Sequence, residues 1–147
     1  MHTLFQITDT PLDPEGIRAA IADPAAGAVA SFVGVARNSF QGKQVRYLEY
    51  EAYAPMAELQ MRRIGTEIAQ RWPEVTGVAI AHRVGRVEIG EASVALAVSA
   101  PHRREALAAC EHGIERLKAT LAVWKKEVFA DGSEWRENAG EGPGQRG

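Results

Sequence analysis

The chain has 147 residues, the size of one compact domain, and 46% are apolar against 24% charged, enough to bury a single core beneath a charged surface. Seventeen Lys and Arg against nineteen Asp and Glu leave a formal charge of −2, which argues against a general nucleic-acid binder, whose affinity needs a basic excess. The single cysteine, Cys110, excludes an internal disulfide; no leader-like segment opens the sequence and no apolar run is long enough to span a bilayer, so a cytoplasmic protein with no membrane partner is expected.

In chain order, residues 2–8 alternate enough for a strand. Asp13-Pro14-Glu15 is read as an N-cap followed by proline at the first helical position, opening a short helix to about Ala22. Residues 28–36 are apolar on both faces, which predicts a strand buried on both sides. The composition of 38–42 predicts a loop, and 45–53 carries the strongest strand propensity in the chain. A helix begins at Pro55 and ends before Pro73, with Ala57, Met61, Ile64, Ile68 and Trp72 as its core stripe.

Residues 75–84 and 92–99 read as two more strands, with Gly85 and Gly90 bounding a turn-rich piece between them. Pro101 opens the longest helix, whose apolar face is expected to hold Leu107, Cys110, Ile114, Leu117 and Leu121. A hairpin over Trp124–Trp135 turns at 130–133. The Gly-rich residues 139–147 are expected to form a flexible tail, leaving one domain over 1–138. Strands adjacent in sequence between helices predict an α+β fold rather than a regular parallel array.

Cys110 falls within the apolar stripe and is expected to be packing rather than a nucleophile. His102, Arg103 and Arg104 crowd the first turn of the long helix, where backbone N–H groups and the dipole already favour an anion. Their positive charge disfavours the helix itself, so a phosphate or carboxylate site is weighed there against a solvated corner. Lys118 has an ordinary surface partner in Glu115 one turn back, and Lys125-Lys126 read equally as solvent-facing residues of the hairpin. Two lysines near one anion, however, lower each other's pKa and can supply a proton near neutral pH. Arg37 follows an apolar strand directly, a favoured place for ligand contacts. His82-Arg83 ends another strand and is read as structural. No zinc-type Cys/His spacing, Walker glycine loop or nucleophile elbow is present.

Taken together, several segments resemble the large, catalytic subunit of molybdopterin synthase. They are Phe32-Val33-Gly34-Val35-Ala36-Arg37-Asn38, Leu48-Glu49-Tyr50-Glu51-Ala52-Tyr53, Pro55-Met56-Ala57, His82-Arg83-Val84-Gly85, Gly90-Glu91, His102-Arg103, Leu117-Lys118 and Trp124-Lys125-Lys126-Glu127. The resemblance spans about residues 28 to 138 in the family's order. It implies an α/β hammerhead-type fold with antiparallel and mixed sheet, a homodimer within a heterotetramer, and a small ubiquitin-like partner carrying sulfur as a thiocarboxylate on a C-terminal Gly-Gly. With Gln145-Arg146-Gly147 at its end, this chain would accept that tail rather than own it. The implied substrate is cyclic pyranopterin monophosphate, and neither metal nor redox cofactor is required.

On this resemblance Lys118 and Lys125 are catalytic, with Lys118 beside the partner's terminal carbonyl. Arg37, His102 and Arg103 hold the pterin phosphate, Val35, Ala36 and Lys126 add to the substrate site, and Glu127 orients Lys125. His102 and Lys118 are sixteen residues apart on one predicted helix, about 24 Å at 1.5 Å per residue. A small pterin cannot touch both in one subunit, which predicts a site composed from two protomers. One departure is visible: the family's proline before the tryptophan is Ala122 here, so the helix is expected to run further and shift Lys125 relative to Lys118. The alternatives are a non-catalytic family member, a small-ligand-binding regulatory α+β module and, behind both, a nucleic-acid binder.

Overall fold

The computed structural model describes residues 1–139; the expected tail from residue 140 onward lies outside the described residues. The elements are β1 (His2–Thr8), α1 (Pro14–Ala19), β2 (Ala28–Val35), β3 (Ser39–Phe40), β4 (Lys43–Ala52), α2 (Ala54–Arg71), β5 (Gly77–Arg83), β6 (Gly85–Glu88), β7 (Ala92–Ala100), α3 (Arg103–Thr120), β8 (Val123–Phe129) and β9 (Glu134–Asn138). They form two sheets. One has the order β1-β5-β7-β2, mixed because β1 runs parallel to β5; the other is β3-β4-β8-β9 with β6 also paired to β4. The fold is α+β, as the order of elements predicts.

Side-chain volume sorts the two faces of the mixed sheet. Val78 and Ile80 of β5 with Val94, Leu96 and Val98 of β7 share a cluster with Met61, Ile64 and Ile68 of α2 and with Cys110 and Leu117 of α3. The intervening Ala79, Ala81, Ala95 and Ala97 face Ile17 and Ile21, on and just beyond the short α1. Alternation along each strand thus gives large aliphatics to the long helices and methyl groups to the short one.

Several expectations need correction. The apolar strand β2 is an edge strand pairing only with β7; Val29, Phe32, Val33 and Val35 are all exposed, because no strand covers its outer edge and the helices reach only part of its face. The loop predicted at 38–42 contains β3, a two-residue strand folded back on β4 through Gln41 and Gly42, both in the left-handed region (φ 51° and 79°). The piece between Gly85 and Gly90 pairs with β4 as β6.

A further correction concerns α3. Its buried face is Ala106, Ala109, Cys110, Gly113 and Leu117, whereas Leu107 is 60% exposed. The helix approaches the sheet so closely that a Cβ on Gly113 would lie 2.9 Å from Leu96 Cδ1, and only small residues fit there. Nor does α3 run on past Ala122: it ends at Thr120, with Leu121 extended (φ −68°, ψ 131°). The N–H that a proline would lack is taken up by Gln60 Oε1 at 2.7 Å. Ala139, placed in the tail by its composition, packs against the core and donates its N–H to the Val123 carbonyl at 2.7 Å. Gly113→Val is expected to destabilise the fold by about 1–3 kcal/mol through overpacking against Leu96, read as a lower urea midpoint at unchanged m-value.

Candidate functional site

One pocket gathers side chains from both sheets and from α3. Tyr50 of β4, His82 of β5, Ser93 and Val94 of β7, Leu117 and Lys118 of α3, Leu121, Lys125 of β8 and Ala139 line it. The register explains the convergence. Tyr50 lies directly across from Lys125 and His82 across from Val94, and cross-strand partners place their side chains on one face. Lys118 arrives from the last turn of α3, where a cation is also favoured by the helix dipole.

Lys125 is half-sequestered and held on three sides. Its Nζ lies 3.2 Å from Glu137 and 4.0 Å from Glu127, and 5.6 Å from the centre of the Phe40 ring. Glu127 is buried, and one of its carboxylate oxygens has no hydrogen-bond partner. Burial raises its pKa, Lys125 and Arg37 pull it back and Glu137 pushes it up. Arg37 itself is exposed, so its charge reaches Glu127 from the rim.

The pocket's inner wall is buried and hydrogen-bonded. Tyr50 is hydrogen-bonded to Ser93, and burial raises the pKa of its phenol. Ser93 Oγ in turn donates to the Gly34 carbonyl of β2 at 3.3 Å. His82 packs edge-on against the Tyr50 ring, centroids 5.0 Å apart, and its Nδ1 sits 2.8 Å from the Arg83 carbonyl. Burial above all, with the charge of Lys118 added and the Arg83 carbonyl opposing, lowers its pKa to about 4.

The candidate residues therefore divide. Lys118 and Lys125 meet in one pocket, with Glu127 and Arg37 beside Lys125. Val35 and Arg37 face outward at the exit of β2, whereas Ala36 is buried, its N–H given to the Glu91 carbonyl and its own carbonyl taken by Gly90. Lys126 alternates to the other face of β8, in a second depression with Glu49, Glu51, Trp124 and Arg136 that Lys125 also borders. There its Nζ is 2.9 Å from Glu49 and 3.7 Å from Glu134. His102 and Arg103 lie at the opposite end of α3, in a shallow site with Gly27, Ala28, Pro101, Arg104 and Leu107. The 18-residue α3 keeps them apart from Lys118. Cys110 is buried, its thiol pushed up to about 11, consistent with packing. Among the described residues no cluster of His, Cys, Asp and Glu is arranged to hold a metal ion, and no helix is long and apolar enough to cross a membrane.

The family model described as MoaE protein matches residues 7–120. The chain belongs to the MoaE family. A molybdopterin synthase catalytic subunit from Taeniopygia guttata is 49% identical over 118 residues, covering 80% of this chain and 76% of that protein. The crystal structure of molybdopterin synthase from Staphylococcus aureus superposes with a TM-score of 0.86 at 40% identity, covering 90% of this chain and 96% of that one. A complex of subunits 1 and 2 of molybdopterin-converting factor from Helicobacter pylori 26695, at 23% identity over 91% of this chain and 88% of its own, shares the fold with a TM-score of 0.72. As a MoaE protein the chain is of the molybdopterin synthase catalytic-subunit type, with a transferase role in molybdenum cofactor biosynthesis.

Sequence reasoning set His82 aside and did not single out Tyr50 or Ser93. The available signal was a histidine ending a strand of small apolar residues, where its neighbours could only be supplied by other elements. The unfolded chain binds a proton on such a group near pH 6.5 and the folded protein only near 4. The unfolded state therefore holds more protons between those values, and stability present above pH 6.5 is lost as pH falls toward 4. Relative to His82→Gln, the wild-type protein is expected to lose up to about 3 kcal/mol across that window, measured by denaturant titration at successive pH values. Parallel curves for the two proteins would contradict it.

Proposed function

We propose that this chain transfers sulfur from the thiocarboxylated C-terminal Gly-Gly of a small ubiquitin-like partner to cyclic pyranopterin monophosphate, forming the dithiolene of molybdopterin. The observation that carries this reading is the meeting of Lys118 and Lys125 in one pocket with a buried inner wall. Two cations there suit an anionic sulfur donor and an anionic pterin together.

The partner's thiocarboxylate sulfur attacks a pterin carbon, the carbon–oxygen bond at that carbon breaks, its oxygen takes up a proton and departs, and the two chains of atoms are joined as a thioester. Water then adds to the acyl carbon, the acyl–sulfur bond breaks, and the tail leaves as an ordinary carboxylate while sulfur stays on the pterin. Two such rounds deliver two sulfurs. Lys118 stabilises the oxyanion that develops at the acyl carbon or carries the proton it exchanges. Lys125, fixed by Glu137 and Glu127, holds the second cationic position, and Arg37 offers forked donors to phosphate at the rim. The pairing of the two subunits in the Helicobacter structure supports a small partner.

The distance between the ends of α3 supports a composite site, with His102 and Arg103 of one protomer completing the pocket of the other in a homodimer. Lys118→Ala and Lys125→Ala are each expected to reduce dithiolene product by about 100-fold or more, followed by mass spectrometry of the pterin after mixing with precursor and thiocarboxylated partner. A Lys118→Ala protein that keeps full biological function would favour the regulatory-module reading instead. Mixed dimers of His102→Ala and Lys118→Ala chains are expected to recover activity well above either parent, and no recovery would rule out shared sites.

A further inference from the structure

Two charged side chains have no part in the sulfur-transfer scheme: Arg83 at the end of β5 and Glu91 just before β7. The fold brings them together. Arg83 Nη1 lies 3.1 Å from Glu91 Oε1, and the two side chains are 12% and 36% exposed. Arg83 Nε and Nη1 are buried and lack a hydrogen-bond partner, so the contact is an ion pair that is close without being aligned as a hydrogen bond. The guanidinium thus depends on this carboxylate for its charge compensation, and a cation left without one in a buried place is costly.

Glu91 does more than neutralise its neighbour. Its Oε1 also accepts the Glu88 N–H at 2.8 Å, and its own N–H returns to the Glu88 carbonyl at 3.0 Å. The turn at 88–91 is closed from both ends around Gly90, whose φ of 88° lies in the left-handed region. The Glu88 N–H above all, with Arg83 adding to it against burial, holds the Glu91 carboxyl below the usual carboxylate range. Two backbone bonds run from this turn to the exit of β2: Ala36 donates its N–H to the Glu91 carbonyl at 3.0 Å, and Gly90 donates to the Ala36 carbonyl at 2.8 Å. The register of β2 against β7 shifts between Gly34 and Val35, and the bonds from the turn carry the strand past that irregularity. On the far side of Arg37, the Asn38 carbonyl accepts the Val45 N–H at 2.8 Å. Arg37 is exposed between these two anchors, so the backbone sets where its guanidinium can reach.

We propose that Arg83 and Glu91 are a positioning pair for Arg37: their ion pair fixes the 88–91 turn, and the turn's two bonds to Ala36 set where the Arg37 guanidinium stands. Arg83 and Glu91 touch no substrate in this scheme. They act through the backbone, and a small rotation of the turn becomes a larger displacement at the tip of a long side chain. The consequence for the substrate rests on the reading of Arg37 as a holder of the pterin phosphate; the positioning itself does not.

Glu91→Gln keeps an acceptor for the Glu88 N–H and removes the charge facing Arg83, whereas Arg83→Lys keeps the charge and loses the planar fork. In equilibrium titrations of the full-length protein with pterin precursor, Glu91→Gln is expected to weaken binding about tenfold and Arg83→Lys by less. In an Arg37→Ala background Glu91→Gln should cost nothing further, because the group being aimed is gone. In turnover the loss should fall on half-saturation for the pterin and leave that for the thiocarboxylated partner unchanged. Wild-type pterin affinity in Glu91→Gln, or a loss as large with Arg37→Ala as without it, would overturn the proposal. Amide hydrogen exchange gives a reading that needs no ligand: Ala36 and Gly90 are expected to exchange about tenfold faster in Glu91→Gln, with Val78 and Val98 in the core unchanged. Unaltered exchange at 36 and 90, or an equal rise throughout the core, would also overturn it. The same measurements on Arg83→Lys, with smaller changes of the same pattern expected, decide the matter should Glu91→Gln not fold. An Arg37→Ala protein that binds the pterin as tightly as wild type would instead defeat the phosphate reading of Arg37, with the exchange rates still deciding the positioning.

Discussion

The close approach of α3 to β7 decides where the two pocket lysines can meet. Ala106, Ala109 and Gly113 leave so little between helix and sheet that Leu96 fills the space beneath Gly113. The helix is thereby locked in rotation and height over the strands. Lys118, five residues further on, inherits that position and emerges at the end of the helix where the second sheet begins. A larger residue at 113 would tilt the helix, and the displacement would be felt most at the pocket rather than at the point of insertion.

Lys118 meets β8 because the helix stops where it does. Gln60 reaches across from α2 to take the Ala122 N–H, so the chain turns into β8 after Leu121 without the help of a proline. Lys125 then falls opposite Tyr50 in the ladder. The two lysines are seven residues apart in sequence and belong to different kinds of structure, which lets each receive its own surroundings: acidic groups along β8 and β9, an imidazole and a phenol from β5 and β4. Like charges are tolerated together because Glu137 and Glu127 offset Lys125 before a ligand arrives.

Much of this could be seen in the residues alone. The strands, the two long helices and the terminal hairpin follow from periodicity, Pro55, Pro73 and the 130–133 turn. Lys118, Lys125 and Glu127 were reachable only through the pattern of segments shared with the molybdopterin synthase large subunits, since nothing in their spacing distinguishes them from surface residues. Burial was the poorer inference. The apolar run of 28–36 looks like the centre of a sheet, yet whether a strand lies at an edge depends on pairings that no local pattern encodes. Leu107 misled in the same way: hydrophobicity gave the helix a leucine-rich face, while the sheet selected the neighbouring face of alanines and glycine for its smaller volume. His82 was passed over because its neighbours in the pocket come from four other elements, β4, β7, α3 and β8. Lys126 could not be told from Lys125 without knowing which way β8 presents its alternate residues.

The wall behind the pocket joins the two sheets through Tyr50, Ser93 and the carbonyl of Gly34, and Gly34 belongs to the exposed edge strand. Its strand register shifts just there, and a side chain at 34 would strike Val94. A load placed on that outer edge, such as another molecule seated along Phe32 and Val33, thus bears on a carbonyl only two hydrogen bonds from the tyrosine ring against which the imidazole rests. The outer edge strand and the wall of the lysine pocket are one mechanical piece.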